Sequence, residues 1–185
     1  SWDMEPYEIS ETGNAVVPVG LHDIYGSHES GVYGIIGKGE NGNFGTETLT
    51  IPAGADVTLH NMKIYSSVKI VVEKGGKLTL DDSVAYGAVE VNGGTLSAKN
   101  SSSFVNQITL NDGSALEDAE IRSHANYLTD GNYKVEAPTA PVQTNGTVTV
   151  KGTCSIEGEG IVSSKDAQTG MTVNCLLYTS PSPRD

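Results

Sequence analysis

The feature that most constrains this chain is a unit of about twenty residues that recurs with no helical pattern between its copies. The stretches TLTIPAGADVTLHNMKIY and KIVVEKGGKLTLDDSVAY follow one plan: an apolar alternating run, a glycine turn, a second alternating run, and a polar patch ending in tyrosine. Units of this length stack so that each one is stable only between its neighbours. The repeat therefore indicates a stacked architecture.

The last apolar residue before each turn marks the period. Four consecutive units supply it: Ile51, Val72, Val91 and Leu110. Each of these follows the one before it by about twenty residues, the length of one unit. The next match, Val150, lies twice as far beyond Leu110, so we expect two periods there, with a strand at Tyr133 and Val135 in the skipped unit.

Within each unit, apolar residues alternate with polar or small ones. Leu49 and Ile51 flank a threonine, and so do Val57 and Leu59. A period of two indicates a strand with one buried face, and no segment shows a capped 3.6-residue period. We therefore predict an all-β fold, a single-stranded parallel β-helix (solenoid) with about twenty residues per rung and roughly seven to nine rungs. A β-sandwich of hairpins is the alternative, but it does not explain the fixed order and length of the units.

Three stretches, GGTLSAKNSS, VVEKGGKLTLDDS and TVTVKGTCSIEG, resemble rungs of right-handed β-helix proteins of the pectate-lyase-like superfamily. The resemblance covers roughly residues 31–174 and is strongest to non-catalytic bacterial surface members: adhesins, autotransporter-like passengers and carbohydrate-binding β-helix proteins. Unrelated functions share this style of repeat, so the resemblance implies the fold more firmly than any activity.

The chain divides into three parts by pattern. Residues 1–30 are irregular and are expected to cap the solenoid or to belong to the edge of a neighbouring domain. Residues 31–174 carry the solenoid, with a proline-containing loop excursion near 125–145. Residues 175–185, CLLYTSPSPRD, break the pattern and resemble a translated sequencing adapter, so we predict a non-native tail on a fragment of a longer protein.

The charge balance excludes some partners. The chain has 11 basic and 23 acidic residues and a net charge of −12. A nucleic-acid binder needs a basic face, so no nucleic-acid partner is expected. No stretch approaches the roughly 18 consecutive apolar residues of a membrane span, so we expect no membrane insertion in this segment.

The resemblance implies a fragment of a secreted or cell-surface bacterial protein that acts as a structural stalk or adhesin. Carbohydrate binding would add an extracellular glycan or a host surface as partner. The alternative is a polysaccharide lyase or glycoside hydrolase of the same superfamily. Such a lyase would use Ca²⁺ and an arginine, yet the one arginine outside the tail, Arg122, follows the acidic residues Glu117, Asp118 and Glu120. We assign no catalytic residue and regard enzymatic activity as the less favoured expectation.

An aromatic column is the candidate binding site. Tyr65, Tyr86 and Phe104 fall at similar positions in three consecutive units, and His124 falls in the same column by the next offset. Stacked rings about 4.8 Å apart on an outer face would form a platform for sugar rings. The alternative is an inward ladder that fills a corner of the core.

No cofactor is predicted, although the acidic residues leave a Ca²⁺ site open as an alternative. The candidate oxygens belong to Asp81, Asp82, Asn111, Asp112 and Asp118. No EF-hand loop is present, and Asx residues at turns commonly satisfy backbone groups instead.

Two further patterns are set aside. The string GKGENG at 37–42 matches a dinucleotide fingerprint, but a strand-like run follows it where a helix is required. The four histidines, His22, His28, His60 and His124, show no metal-ligand spacing. We expect them to be scattered surface residues.

Overall fold

The computed structural model describes residues 15–26, 34–36, 47–122, 141–157, 161–163, 171–173 and 177–180, and these residues form strands and turns without a helix. The strands of these ranges are, in chain order, β1 (Ala15–Val16), β2 (Asp23–Tyr25), β3 (Gly34–Ile36), β4 (Glu47–Ile51), β5 (Asp56–His60), β6 (Met62–Ile64), β7 (Val68–Glu73), β8 (Lys77–Asp81), β9 (Val84–Ala85), β10 (Val89–Asn92), β11 (Thr95–Lys99), β12 (Ser103–Phe104), β13 (Ile108–Leu110), β14 (Ala115–Ile121), β15 (Val142–Thr144), β16 (Val148–Lys151), β17 (Cys154–Glu157), β18 (Ile161–Ser163), β19 (Met171–Val173) and β20 (Leu177–Ser180).

The strands of the described ranges pair in three sheets, and every strand pairing is parallel. The first sheet has the order β1-β4-β7-β10-β13-β15-β18, the second β19-β16-β14-β11-β8-β5-β2, and the third β12-β9-β6-β3. Strand β17 pairs with β14 and β20 beside the second sheet. Strands joined by a tight hairpin are antiparallel, so these pairings contradict the sandwich alternative and are compatible with a parallel β-solenoid.

The predicted register is confirmed in the central units. Ile51 pairs with Val72, Val72 with Val91, and Val91 with Leu110. The second alternating run of each unit is also in register with its neighbours: Leu59 pairs with Leu80, and Leu80 pairs with Ala98. Residues that occupy equivalent positions in consecutive units are therefore neighbours on adjacent strands.

The core consists of these apolar columns, which point inward from all three sheets. Its fully buried members include Leu49, Ile51, Ile64, Ile70, Val72, Leu78, Leu80, Val89, Val91, Leu96, Phe104, Ile108 and Leu110. The alternation of burial along β7, with every second residue buried, follows from the period-two pleat. Side chains from facing sheets meet in one contiguous cluster.

The sheet assignment of the second half corrects the sequence alignment. We aligned Val150 with Leu110, but Val150 pairs with Leu116 in the second sheet. The first-sheet position is taken by β15, in which Val142 pairs with Ile108. Both runs of a unit read apolar–polar–apolar, so the pattern alone does not say which sheet a run joins. The predicted strand at Tyr133 and Val135 lies outside the described residues.

The outer parts of the chain also contribute strands. Within 1–30, β1 pairs with β4 and β2 pairs with β5. Within 175–185, β20 pairs with β17. Most of the predicted loop excursion near 125–145 lies outside the described residues, and its last part contains β15.

The corner after the first sheet combines a left-handed turn, a close approach and an amide ladder. Gly93 has φ 85°, which a residue with a side chain rarely adopts. A Cβ on Gly94 would lie 2.5 Å from the carbonyl oxygen of Glu73 in the preceding unit. Beside this corner the asparagine side chains form a hydrogen-bonded ladder: Asn111 Nδ2 donates to Asn92 Oδ1 (2.6 Å), and Asn145 Nδ2 donates to Asn111 Oδ1 (2.8 Å).

The corner glycines give a test of this close stacking. We expect Gly94→Ala to destabilise the chain by on the order of 3 kcal/mol, because the new methyl group would overlap backbone oxygen. Gly113→Ala is the matched control: its Cβ would find only Gly93 Cα, at 3.8 Å, so it should cost about 1–2 kcal/mol of backbone strain alone. Urea denaturation measures both. Equal losses would contradict the close approach.

Candidate functional site

A cluster of polar side-chain contacts lies on the outer face of the second sheet in the described part of the chain. We call it the His60 cluster, and it consists of Asp23, Tyr25, His60, Asp81 and Asn100. Val57 and Leu59 of β5 point into the core, so His60 points outward. The parallel register then places Tyr25 and Asp81 on either side of it.

His60 bridges two carboxylates that come from different strands. Its Nδ1 lies 2.6 Å from Asp81 Oδ2, and its Nε2 lies 2.8 Å from Asp23 Oδ1. The Tyr25 ring stacks on the imidazole, with the ring centroids 4.3 Å apart and the planes 8° from parallel. The His60 and Asp81 side chains are 15% and 19% exposed, whereas that of Asp23 is 45% exposed. The imidazole thus ties β2, β5 and β8 together.

The two contacts define the protonation state that this geometry requires. A carboxylate only accepts hydrogen bonds, and a neutral imidazole carries a single N–H. Both ring nitrogens can therefore donate only when His60 is an imidazolium. In that state the cluster is a cation held between two anions, with charge-assisted hydrogen bonds on both sides.

Several opposing effects act on the Asp81 carboxyl. Burial raises its pKa, but hydrogen bonds from Asn100 and His60 and the positive charges of His60 and Lys99 together outweigh burial. The net result is a lowered pKa for Asp81. Asn100 Nδ2 donates to Asp81 Oδ1 at 2.7 Å, so each carboxylate oxygen of Asp81 has a partner.

This arrangement favours a structural role, in which the cluster attaches neighbouring strands to one another, over acid–base catalysis. A general base needs a lone pair within hydrogen-bond reach of the proton that it removes. Both nitrogens of His60 are already engaged by carboxylates, so the ring offers no lone pair to a substrate in this state. The cluster can hold strands together and present carboxylate and amide groups on the outer face.

The predicted aromatic column is split by the observed register. Ile64 pairs with Ala85 and Ala85 with Phe104, so Phe104 stands one residue away from the tyrosine column. To join that column, Phe104 would have to pair with Tyr86, the residue after its actual partner. Because successive strand residues face opposite sides, this shift sends Phe104 into the core, and that part of the predicted column is wrong.

The burial of the three predicted residues that the structure describes differs. Phe104 is 1% exposed and Tyr86 is 4% exposed, whereas Tyr65 is half-buried. Tyr65 and Tyr86 pack with Val84 and Val105 in a second, smaller apolar cluster. His124 lies outside the described residues. These placements put Phe104 in the core and Tyr86 in the separate smaller cluster, and glycan binding by the column stays a prediction.

The residues considered as Ca²⁺ ligands take different roles. Asp81 belongs to the His60 cluster, and Asn111 belongs to the amide ladder. Asp112 Oδ1 accepts from the Thr147 backbone N–H at 2.8 Å. Asp118 Oδ1 accepts from the Thr153 N–H at 2.9 Å, next to a bulge in β14 where Asp118 has φ 45°. Across the described ranges, no group of three or more His, Cys, Asp or Glu side chains is placed to hold a metal ion.

Sequence reasoning missed the His60 cluster, although part of its signal was present. His60 was expected to be a scattered surface histidine. It precedes Asp81 by the same interval that separates Leu59 from its partner Leu80. Applying the core period to polar residues would therefore have found this contact. The contact with Asp23, which lies well over one period before His60, does not follow the repeat.

Comparison with known proteins finds no match to this chain among family models, curated proteins or solved structures. No membrane-spanning helix occurs in the part of the chain that the structure describes.

The buried tyrosine distinguishes the two interpretations of the aromatic column. We expect Tyr86→Ala to lower the free energy of unfolding by about 2–4 kcal/mol, because it empties a buried site. Tyr86→Phe, which keeps the ring, should lose about 1 kcal/mol or less. Urea denaturation and a glycan array measure the two properties in parallel. Unchanged stability with loss of glycan binding would instead support the platform.

The Asp81 carboxyl predicts an acid-sensitive contribution to stability. Because its pKa is lowered in the folded chain, this contribution is present above the usual carboxyl range, near pH 4, and is lost as the pH falls through the folded value. Asp81→Asn should therefore flatten the stability profile between about pH 2 and pH 5. Denaturation across this range tests the prediction.

Asp82→Asn is the control for this experiment. It removes the same charge one residue away, and asparagine tolerates the φ of 45° at that position. An acid profile that Asp82→Asn flattens as much as Asp81→Asn would contradict the assignment to the His60 cluster.

Proposed function

We infer that the chain winds as a parallel β-solenoid. In the central units, consecutive strands enter the first, second and third sheets in turn, and each sheet receives its next strand one unit later. Strand pairing at about 4.8 Å per rung then makes the length of the rod proportional to the number of units. The repeat style keeps its resemblance to β-helices of the pectate-lyase-like superfamily, and we propose that relationship on this ground alone.

We further propose that the chain serves as a rigid stalk or adhesive rod in a secreted or cell-surface protein, with a glycan or host surface as partner. The observation that carries the proposal is the continuity of the side-chain columns from unit to unit. Apolar columns run through the core, and the amide ladder from Asn92 to Asn145 runs along a corner. Such columns resist bending because every rung is fixed to two neighbours.

The polar and charged side chains of the outer faces support this role. Outward positions of the second sheet carry short polar and charged side chains, including Thr58, Lys77 and Glu117. Lys77 Nζ lies 3.2 Å from Glu117 Oε2, two strands away, and Lys69 Nζ lies 2.7 Å from Glu90 Oε2. With a net charge of −12, such a surface repels copies of itself and remains hydrated outside a cell.

Duplication of a unit tests the proposed rod. A variant with a second copy of residues 73–91 inserted after Val91 should fold and lengthen by about 4.8 Å, because the copy begins and ends in register. Small-angle scattering measures the length. The control inserts the same residues in scrambled order and should lose stability. A compact variant of unchanged length would contradict the solenoid.

A binding assay separates the rod from an enzyme. On arrays of neutral and uronate-containing glycans, an adhesive rod retains ligand and releases no product. Release of unsaturated or reducing-end products from pectin-like polymers would contradict the proposed role and support a polysaccharide-degrading β-helix. If the chain neither retains a glycan nor releases a product, the adhesive part of the proposal is wrong and only the stalk remains.

A further inference from the structure

We propose that the His60 cluster is a pH-dependent clasp that fastens β2 to the body of the second sheet and opens when His60 loses its proton. The inference does not depend on the proposed function, because it concerns contacts within the fold. It rests on the two carboxylates that engage the one imidazole at 2.6 and 2.8 Å.

In the described part of the chain, strand β2 has a short pairing with the sheet. It contributes three residues, pairs with β5 alone and stands last in the order of the described second sheet. Of these residues, only Ile24 is buried in the core. By contrast, β8 forms five residue pairs with β5 and five with β11. The outward contacts of Asp23 and Tyr25 with His60 therefore add to a strand pairing of three residues.

Loss of the proton breaks one of the two contacts. A neutral ring donates from one nitrogen, and its other nitrogen then directs a lone pair at a carboxylate oxygen. Asp81 is the better-fixed partner, because it is more buried and also accepts from Asn100. Asp23 is 45% exposed and can turn toward water. Deprotonation therefore releases Asp23 and weakens the attachment of β2.

The charged side chains around the cluster leave His60 as the group that links Asp23 to Asp81. On the strands nearest the cluster, the charged and titratable groups of this outer face are Asp23 and Tyr25 of β2, Asp56 of β5, Lys77 and Asp81 of β8, and Lys99 of β11; Lys77 in turn contacts Glu117 of β14. Asp56 and Lys77 pair with each other at the opposite end of their strands, four residues from the cluster. Lys99 pairs with Asp81 on the side away from His60. The imidazolium is thus the cation that faces both carboxylates.

The direction of the pH effect follows from this arrangement. Both contacts are hydrogen bonds while the ring carries a proton on each nitrogen, and one of them is lost when a rise in pH removes one of these protons. On the acid side, the lowered pKa of Asp81 keeps that carboxylate charged. The clasp therefore opens toward alkaline pH.

Hydrogen exchange of individual amides tests the clasp. The reporters are the Gly26 amide, which donates to the His60 carbonyl, and the Thr58 amide, which donates to the His22 carbonyl; each distance is 2.8 Å. The reference is the Thr95 amide, which donates to the Gly76 carbonyl in a central unit. Between about pH 5 and pH 9, the protection factors of the reporters, corrected for intrinsic exchange, should fall roughly tenfold relative to the reference, the worth of one charge-assisted hydrogen bond.

Two variants assign the effect to His60. His60→Gln carries no titrating group, so both reporters should show low protection at every pH. His22→Gln is the matched control: His22 is exposed, its Nδ1 lies 3.1 Å from the Asp56 carbonyl outside the cluster, and the wild-type pH profile should remain.

Should His60→Gln fail to fold, Asp23→Asn provides the second test, because it changes an exposed partner and should remove most of the pH dependence. Reporter protection that follows the reference at every pH, or a pH profile that survives both His60→Gln and Asp23→Asn, would overturn the clasp.

Discussion

The structure depends on in-register parallel pairing between equivalent residues of consecutive units. Val72 illustrates the consequence, because it pairs with Ile51 on one side and with Val91 on the other. The backbone donors and acceptors of such a strand find their partners in neighbouring units, and its inward side chains do the same. One register thus fixes the core columns, the corners and the outer surface together.

The same register explains why polar residues form lines. An asparagine at one corner repeats at the next, and the amides of Asn92, Asn111 and Asn145 then satisfy one another. Ser83 and Ser102 do the same inside another corner, where Ser83 Oγ accepts from the Met62 N–H and Ser102 Oγ accepts from the Ser83 N–H. Buried or crowded polar groups are tolerated in this fold because a neighbouring unit supplies the missing partner.

The His60 cluster departs from this regularity. Its column contains an aromatic, a histidine and an acid in successive strands, so the stacked positions hold complementary groups instead of copies of one residue. Complementary charges join strands more strongly than identical neutral groups, but they make the joint dependent on protonation. In a stack whose core is apolar and whose corner carries neutral amides, the imidazole and its two carboxylates add a charged attachment near the first strands of the described region.

The central fold could be predicted from sequence to the level of individual residue pairs. Leu59 with Leu80 and Val91 with Leu110 followed from period and alternation, because both are properties of short segments. Applied to polar residues, the same period would also have joined His60 to Asp81. The contact with Asp23 was out of reach, because the segment before β5 does not keep the period.

Period and alternation are enough to identify the short strands, their turns and the residues that stack in the regular units. They do not say which sheet receives Val150, which side Phe104 faces, or which acid completes the His60 cluster; these follow from the three-dimensional arrangement of the strands. The physical reason is that alternation is local, whereas sheet membership depends on the length and angle of each connection. A difference of one residue in a connection turns a strand over, and the amino-acid pattern of the strand itself does not record it.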